Sequence, residues 1–465
     1  MRRKSMQNQV YLINSDQEQF NIFFHPETSR MMRVSKELSV DQMTNEQIDE
    51  LLKQFKKENS SDVAVEKVPG RGTVALTFMS ARTCNLGCTY CFAGEGEYAS
   101  VSDKPAFFTK ENYMNAVRFA LENYSDGIKS MCFFGGEPMI NFREIKSFVK
   151  EAQDFFKKND MEFPPTSICT NLVGISSKAI EFLKDNNIFI VTSLDGPKKL
   201  NDLARIYQGD GKLSVYDNVV KGINRMKEQG VSYVLQATIN RNHLENYQQG
   251  DGVKWAKAMD ELGWENLAIV PVDTAVESLA ITGERLLSNL ESFTREITQY
   301  YIGKLYKGET DQIPSGIIAP LIQIAKDRSL RDCNAGHSLF FDTNMHIYPC
   351  QMFVNEEKFN MGNIEEGLNY EKAHGIANVS RQDAPECQAC FARKICSVFC
   401  KGIQFQSHGD MYVVSSPRCT FSRTTIEESI KTLATMDKTS AEYKLFWDSF
   451  KKVSKRTGNF GYTKT

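Results

Sequence analysis

Long apolar runs are missing from this chain, and so is any excess of charge of one sign. The longest uncharged apolar stretches, Ile188 to Leu194 and Ile317 to Ala325, fall far short of the roughly 20 residues needed to cross a bilayer. Lys and Arg (56) nearly balance Asp and Glu (58), for a formal net charge of −2. That balance gives no basic surface for non-specific nucleic-acid binding. Histidine is scarce (6) and tryptophan scarcer (3). The basic start Met1-Arg2-Arg3-Lys4 runs into polar Ser5-Met6-Gln7-Asn8-Gln9 instead of an apolar segment, so no signal peptide is expected. There is no internal repeat and no low-complexity tract. What remains is an ordinary globular composition, 41% hydrophobic and 25% charged. At 465 residues it is long enough for roughly two to four domains. Neither a membrane nor a nucleic-acid partner is expected, and a cytoplasmic, reducing location is.

Against that background, 12 cysteines stand out. In a reducing compartment they are metal ligands more readily than disulfides. They are not scattered: three lie at 84–91, two are isolated at Cys132 and Cys169, and seven fall between 333 and 419. The run Cys84-Asn85-Leu86-Gly87-Cys88-Thr89-Tyr90-Cys91-Phe92 brings three thiolates around one tight loop. Four would close a 4Fe–4S cluster; three leave one iron free to bind and activate a small molecule. Zinc is the competing reading, but it prefers four ligands in short pairs, and this loop has no fourth Cys or His nearby. Cys132 and Cys169 sit inside expected strands and read as small buried hydrophobes.

Residues 1–70 read as a small α+β unit. Its strands are Val10–Ile13, Phe20–Phe24 and Met31–Val34, and its helix runs from Thr44 through Lys57 with Ile48, Leu51, Leu52 and Phe55 on one face. Residues 58–72 follow as a linker. From 73 to 275 strands and helices alternate: the strands are Thr73–Met79, Ile128–Phe134, Thr166–Thr170, Phe189–Leu194, Ser232–Ile239 and Leu267–Val272. Thr109 can cap one of the intervening helices, and Asn141 with Glu144 reads as a capping box for another. Six such units predict an α/β fold with a parallel sheet curled into a partial (β/α)6 TIM-like barrel. Its site would lie at the C-terminal strand ends, and the first cysteine loop follows the first strand. Residues 276–330 read as connecting helices. Residues 331–420 form a cysteine-rich segment in which metals replace a core. Residues 421–465 read as C-terminal helices and a polar tail.

Several polar residues cluster after the strands. Gly135-Gly136-Glu137-Pro138 follows the second: glycines admit a ligand close to the backbone, and a carboxylate can meet an ammonium group. Ser193 and Asp195 follow the fourth and could hydrogen-bond ribose hydroxyls, while Arg205 could pair with a carboxylate. Asn171 after the third strand and Gln236 in the fifth could touch a nucleoside, although caps and turns are the usual work of such residues.

The cysteine spacing, the Gly-Gly-Glu-Pro segment and the Ser193-Leu194-Asp195-Gly196-Pro197…Arg205 arrangement together resemble the radical S-adenosylmethionine (SAM) enzymes. The resemblance implies a 4Fe–4S cluster on Cys84, Cys88 and Cys91 whose open iron chelates SAM. It further implies SAM contacts from Tyr90, Phe92, Gly135, Gly136, Glu137, Asn171, Ser193, Asp195, Arg205 and Gln236, and reductive cleavage of SAM to a 5′-deoxyadenosyl radical. The spacing Cys387-x2-Cys390-x5-Cys396-x3-Cys400, with Cys333-Asn334-Ala335-Gly336-His337 and Ile347-Tyr348-Pro349-Cys350, resembles the SPASM extension of that family. Met345 stands where glycine is usual. The extension implies two auxiliary 4Fe–4S clusters, one on Cys387, Cys390, Cys396 and Cys419, the other on Cys333, Cys350 and Cys400. The second set is one thiolate short. His337, His346 or a substrate thiolate could complete it.

Gln351 follows Cys350, where the sulfatase-maturing members carry a catalytic Asp; an amide cannot take that proton. The continuation Cys91-Phe92-Ala93-Gly94-Glu95-Gly96-Glu97-Tyr98 is similar to maturases that form thioethers in ribosomally made peptides (ranthipeptide and sactipeptide types). By that resemblance residues 1–70 are a winged-helix-like domain for the leader of a precursor peptide. A flavodoxin or ferredoxin would supply electrons. No catalytic acid or base is named. Within the family, carbon–carbon cross-linking, epimerisation and formylglycine formation are the alternatives; outside it, a zinc-binding peptide scaffold.

Overall fold

The computed structural model describes residues 5–6, 10–15, 20–37, 44, 46–47, 50, 53, 68–94, 98, 105–209, 213–327 and 333–457. Its centre is an eight-stranded sheet. The strands are β5 (Val74–Ala81), β6 (Ile128–Gly135), β7 (Thr166–Thr170), β8 (Ile188–Ser193), β9 (Tyr233–Ile239), β10 (Asn266–Pro271), β11 (Ser338–Phe341) and β12 (Ile347–Tyr348). The order is β10-β9-β8-β7-β6-β5-β11-β12, parallel throughout except for the last pair. Strands β5 to β10 are the six expected, within two residues at each end. The ends of the sheet do not pair with each other, so it is the open, partial-barrel form of an α/β fold.

Alternation along the strands explains the layering. Met131 and Phe133 of β6 are buried, whereas Cys132 and Phe134 are half-buried. Phe133 packs edge-on to Phe148 of the helix Phe142–Lys158 at 5.9 Å. One face of the sheet therefore meets the helices, and the other faces the concave interior. Phe78 of β5 anchors the helix side among Tyr113, Phe133 and Phe148, with ring centroids 5.2–6.0 Å apart. Burying each such side chain is worth about 1.5–3 kcal/mol.

Thr109 caps the helix Lys110–Asn123 as expected, accepting from Asn112 N at 3.2 Å. The capping box at Asn141 is not formed. Asn141 Nδ2 donates to the Ser80 and Phe108 carbonyls at 2.8 and 2.7 Å, and Glu144 accepts from Lys110 N at 2.9 Å. The amide thus bridges the Ser80 carbonyl, which also accepts from Phe108 N at 3.1 Å, and the Phe108 carbonyl, tying the end of β5 to the segment before the helix Lys110–Asn123 instead of capping its own helix.

Strands β1 (Ser5–Met6), β2 (Val10–Ile13), β3 (Phe20–His25) and β4 (Arg30–Ser35) form an antiparallel meander. Ile48, Leu51, Leu52 and Phe55, the apolar face of the helix read at 44–57, lie outside the described residues. The meander shares its core with distant sequence. Tyr11, Ile13, Ile22 and Phe24 pack on Phe391 and Ile395 beside the late cysteines, and on Ile426 and Ile430 of the helix Ser416–Thr435. Tyr11 Oη donates to the Ala389 carbonyl at 2.6 Å.

Strand β11, which brings in the cysteine-rich segment, was not foreseen. It pairs in parallel with β5, Ser338 opposite Ala75 through Phe341 opposite Phe78. A buried ion pair locks that edge: Arg82 Nη2 to Asp342 Oδ2 at 3.1 Å, with Arg82 Nε donating to Thr343 Oγ1 at 2.7 Å. Asp342→Ala would strand a buried guanidinium. It should cost about 3–5 kcal/mol in urea unfolding, and a loss below 1 kcal/mol would contradict the locking role.

Candidate active site

The loop carrying the first three cysteines leaves the C-terminal end of β5 and is held from two sides. Gly87 N and Thr89 N donate to the Ile206 and Ala204 carbonyls at 2.8 and 3.0 Å, and Leu86 bridges to Tyr207. From β6, Gly136 N and Glu137 N donate to the Ala81 and Thr83 carbonyls at 2.8 and 2.9 Å. Within this frame Cys84, Cys88 and Cys91 are neighbours, and each is half-buried and free of disulfide. Burial pushes the Cys84 thiol up to about 12 and Cys88 to about 11. Yet the groups around the sulfurs suit an anion: Leu86 N donates to Cys84 at 3.4 Å, Asn171 Nδ2 to Cys84 at 3.7 Å, and Arg205 Nη1 lies 4.0 Å from Cys88. Three thiols with donors behind them fit one face of an iron–sulfur cluster.

The Gly-Gly-Glu-Pro segment is shaped by close approach. Gly135 has φ +133°, and a Cβ there would sit 2.3 Å from the Ala81 carbonyl oxygen. Glu137 is buried and already serves the protein. Its carboxylate accepts from Met139 N (2.9 Å), Thr170 Oγ1 (2.8 Å) and Asn171 N (2.7 Å). It therefore ties the end of β6 to the end of β7, leaving about one of its four acceptor positions for a ligand. Asn171 lies against the cysteine loop: its Nδ2 donates to Asn85 Oδ1 at 2.7 Å beside Cys84.

Asp195 departs from the expected ribose contact. Its side chain is fully buried, with Oδ2 accepting from Tyr90 Oη at 2.6 Å and paired with Arg205 Nε at 3.1 Å. Oδ1 accepts from Thr238 N at 3.0 Å. Fully buried and engaged by these three groups, Asp195 positions Tyr90 and Arg205. Arg205 also lies 5.5 Å over the Tyr90 ring. The following Gly196, φ +153°, is needed because a Cβ would meet Trp255 Nε1 at 2.7 Å. Ser193 and Gln236 sit side by side in the β8–β9 register, Ser193 half-buried and Gln236 exposed. Phe92 is exposed and edge-on to Tyr98 at 5.9 Å.

Cys132 and Cys169 are not in the helix-facing core. They occupy the concave face of β6 and β7, with sulfurs 3.9 Å apart. The late cysteines fall into two neighbourhoods. Cys387, Cys390, Cys396 and Cys419 adjoin one another; so do Cys333, Cys350 and Cys400. Ser422 Oγ donates to Cys396 at 3.4 Å. Buried Lys401 lies beside Cys350 and is held by the Ile376 and Ala377 carbonyls at 2.7 and 2.9 Å. Among the described residues, no three His, Cys, Asp or Glu side chains are gathered closely enough to hold a single metal ion. Arg82, at the foot of the cysteine loop, was missed in sequence; its only signal was its place two residues before Cys84.

The sheet carries its cysteine loop at the C-terminal strand ends, backed by glycines, a carboxylate and an arginine, and residues 79–247 match the model of the radical SAM superfamily. This segment is a radical SAM domain, which brings SAM and a 4Fe–4S cluster as its cofactors. The radical SAM cyclopropyl synthase TigE of Paramaledivibacter caminithermalis is 24% identical over 371 residues, 75% of this chain and 72% of that protein. The cysteine-type anaerobic sulfatase-maturating enzyme of Clostridium perfringens (strain 13 / Type A) is 24% identical over 349 residues, 68% of this chain and 86% of that protein. The solved structure of native anSMEcpe with bound AdoMet shares the fold, with a TM-score of 0.61 at 18% identity, covering 83% of this chain and all of that one. No helix among the described residues is long and apolar enough to cross a membrane.

Burial lifts Glu137 from its usual 4.5 to about 7. A carboxyl raised in the fold contributes stability that is complete below about pH 4.5 and lost as pH rises through about 7. In the metal-free protein, the stability of wild type minus that of Glu137→Gln should therefore fall by about 3 kcal/mol between pH 4.5 and 8. A difference that stays flat in urea titrations would show that Glu137 is not buried as described.

Proposed function

We propose that this radical SAM enzyme is a maturase that closes thioether bonds in a ribosomally made precursor peptide. The observation that carries the reading is the group Cys333, Cys350 and Cys400: three neighbouring thiols, one short of a closed cluster. The other late thiols belong to the group of four. A substrate cysteine can fill the fourth place as a thiolate. Lys401 beside Cys350 supplies positive charge for that anionic set.

When bound, SAM and the first cluster supply a carbon-centred radical that takes hydrogen from the acceptor residue. The chain's own work is to hold the reactants. Gly135, Gly136, Asn171 and Arg205 would bind SAM, with Glu137 and Asp195 fixing their frame and Ser193 and Gln236 facing the nucleoside. The late cysteines would hold auxiliary clusters able to accept the one electron released on bond closure, and a flavodoxin or ferredoxin would supply the one that SAM cleavage consumes. The meander at residues 5–35 would receive the leader as an added strand, through backbone hydrogen bonds. Gln351 beside Cys350 offers no base, which weighs against formylglycine formation.

A second reading, carbon–carbon bond formation, is favoured by the similarity to TigE along 75% of this chain. One experiment separates the two. The anaerobically reconstituted protein is given SAM, dithionite and a short synthetic cysteine-rich peptide, and the product is alkylated with iodoacetamide. Thioether closure removes two hydrogens and one alkylatable thiol per cross-link. Loss of two hydrogens with every thiol still alkylated would overturn the thioether reading in favour of a carbon–carbon product.

A further inference from the structure

Two buried donors near the cysteine loop have nothing to bond. Arg82 is 6% exposed; its Nε and Nη2 are engaged by Thr343 and Asp342, but Nη1 has no hydrogen-bond partner. Tyr98 is 4% exposed, and its hydroxyl has no partner either. Such groups are ordinarily satisfied, and each exception asks for a reason. Tyr98 holds an uncommon backbone for a bulky residue, φ +46°. It is fixed there by its own N–H on the Ala93 carbonyl (2.7 Å) and by Asn355 Nδ2 on its carbonyl (2.8 Å). Phe92 closes on one edge of its ring. The phenol lies within electrostatic reach of Arg82, of Cys91 in the first loop, of Cys350 in the three-thiol group and of Cys169 on the concave sheet face. It stands between the two places that the proposed reaction must connect. Of the residues assigned to SAM, Phe92 meets this ring and Tyr90 lies in the same cysteine loop; the others lie at or beyond the ends of β6, β7 and β8, or in β9.

We infer that Tyr98 Oη and Arg82 Nη1 form a site for a carbonyl oxygen of the substrate peptide, next to the residue that loses hydrogen. Both groups are donors, one cationic, so the complementary ligand is an oxygen acceptor that arrives with the substrate and leaves with the product. A peptide carbonyl fits: it carries partial negative charge, has two lone pairs that can accept from two donors at once, and is bonded directly to the α-carbon. Filling this site would fix the reacting carbon between Cys91 and Cys350, a positioning role that lowers the barrier by orientation alone. The inference rests on the peptide-maturase reading above, and it adds the residues that grip the substrate.

Tyr98→Phe removes one oxygen and keeps the ring against Phe92. With the synthetic cysteine-rich peptide as probe, the variant should show a peptide KM raised about five- to twentyfold, and fewer cross-links per 5′-deoxyadenosine formed. Iron content and SAM affinity should match wild type. Arg82→Lys keeps a charge beside Asp342 but loses the free N–H, and should shift KM in the same direction. If Tyr98→Phe binds and couples the peptide as wild type does, or if it loses iron or SAM, the site is overturned. If wild type fails to modify the peptide, the maturase reading fails separately. Peptide affinity by fluorescence anisotropy, weakened in Tyr98→Phe or unchanged, then still decides the oxygen site.

Discussion

Three half-buried thiols can share one loop only if that loop is prevented from collapsing. No disulfide does this here; backbone hydrogen bonds do. The segment from Ala81 to Cys91 is clamped by the turn after β6 on one side and by Ala204 to Tyr207 on the other. Each clamp needs its own support. Gly135 permits the strand-end approach that lets Gly136 reach Ala81, and Glu137 ties that turn to β7. Asp195, inside the fold, fixes Arg205 and Tyr90 against the cysteine loop. The polar residues behind the loop thus hold the frame first and touch a ligand second.

The same economy appears at the far edge of the sheet. β11 pairs with β5, so the cysteine-rich segment is an extension of the barrel edge and not a loosely tethered module. Arg82 and Asp342 lock that joint, and the three-thiol group is thereby set at a fixed place relative to the first loop. The N-terminal meander is built in as well, since its apolar face lies on the four-thiol segment and the helix Ser416–Thr435. A peptide held on the meander would be held by the body that carries both late cysteine groups.

Much of this was legible in the sequence. β5 to β10 were readable because apolar-rich runs of five to eight residues recur between amphipathic helices. The first cysteine loop was readable from its spacing, and the two late groups only through the family resemblance; in the structure Cys387, Cys390, Cys396 and Cys419 are neighbours, as are Cys333, Cys350 and Cys400. What was not legible is tertiary. β11 is four residues long and β12 two, too short for periodicity to register. Asn141 and Glu144 carry a sound capping pattern, but the structure spends both on backbone groups from other elements. Asp195 looks like a ligand contact from its place at a strand end, and only packing shows that it is enclosed. Cys132 and Cys169 are strand residues whose face depends on which side the helices cover. Arg82 has no motif, and Tyr98 was read only as the end of the Cys91–Tyr98 continuation; their unsatisfied donors exist only in three dimensions.

The central claim is that Cys84, Cys88 and Cys91 leave an iron open for SAM. It is tested most directly by 5′-deoxyadenosine formation in anaerobically reconstituted protein supplied with SAM and dithionite. The account predicts product from wild type, and none from Cys84→Ala/Cys88→Ala/Cys91→Ala, which should lack about four irons per chain while keeping the late-cysteine clusters. Undiminished 5′-deoxyadenosine from the triple variant, or none from iron-loaded wild type, would contradict it.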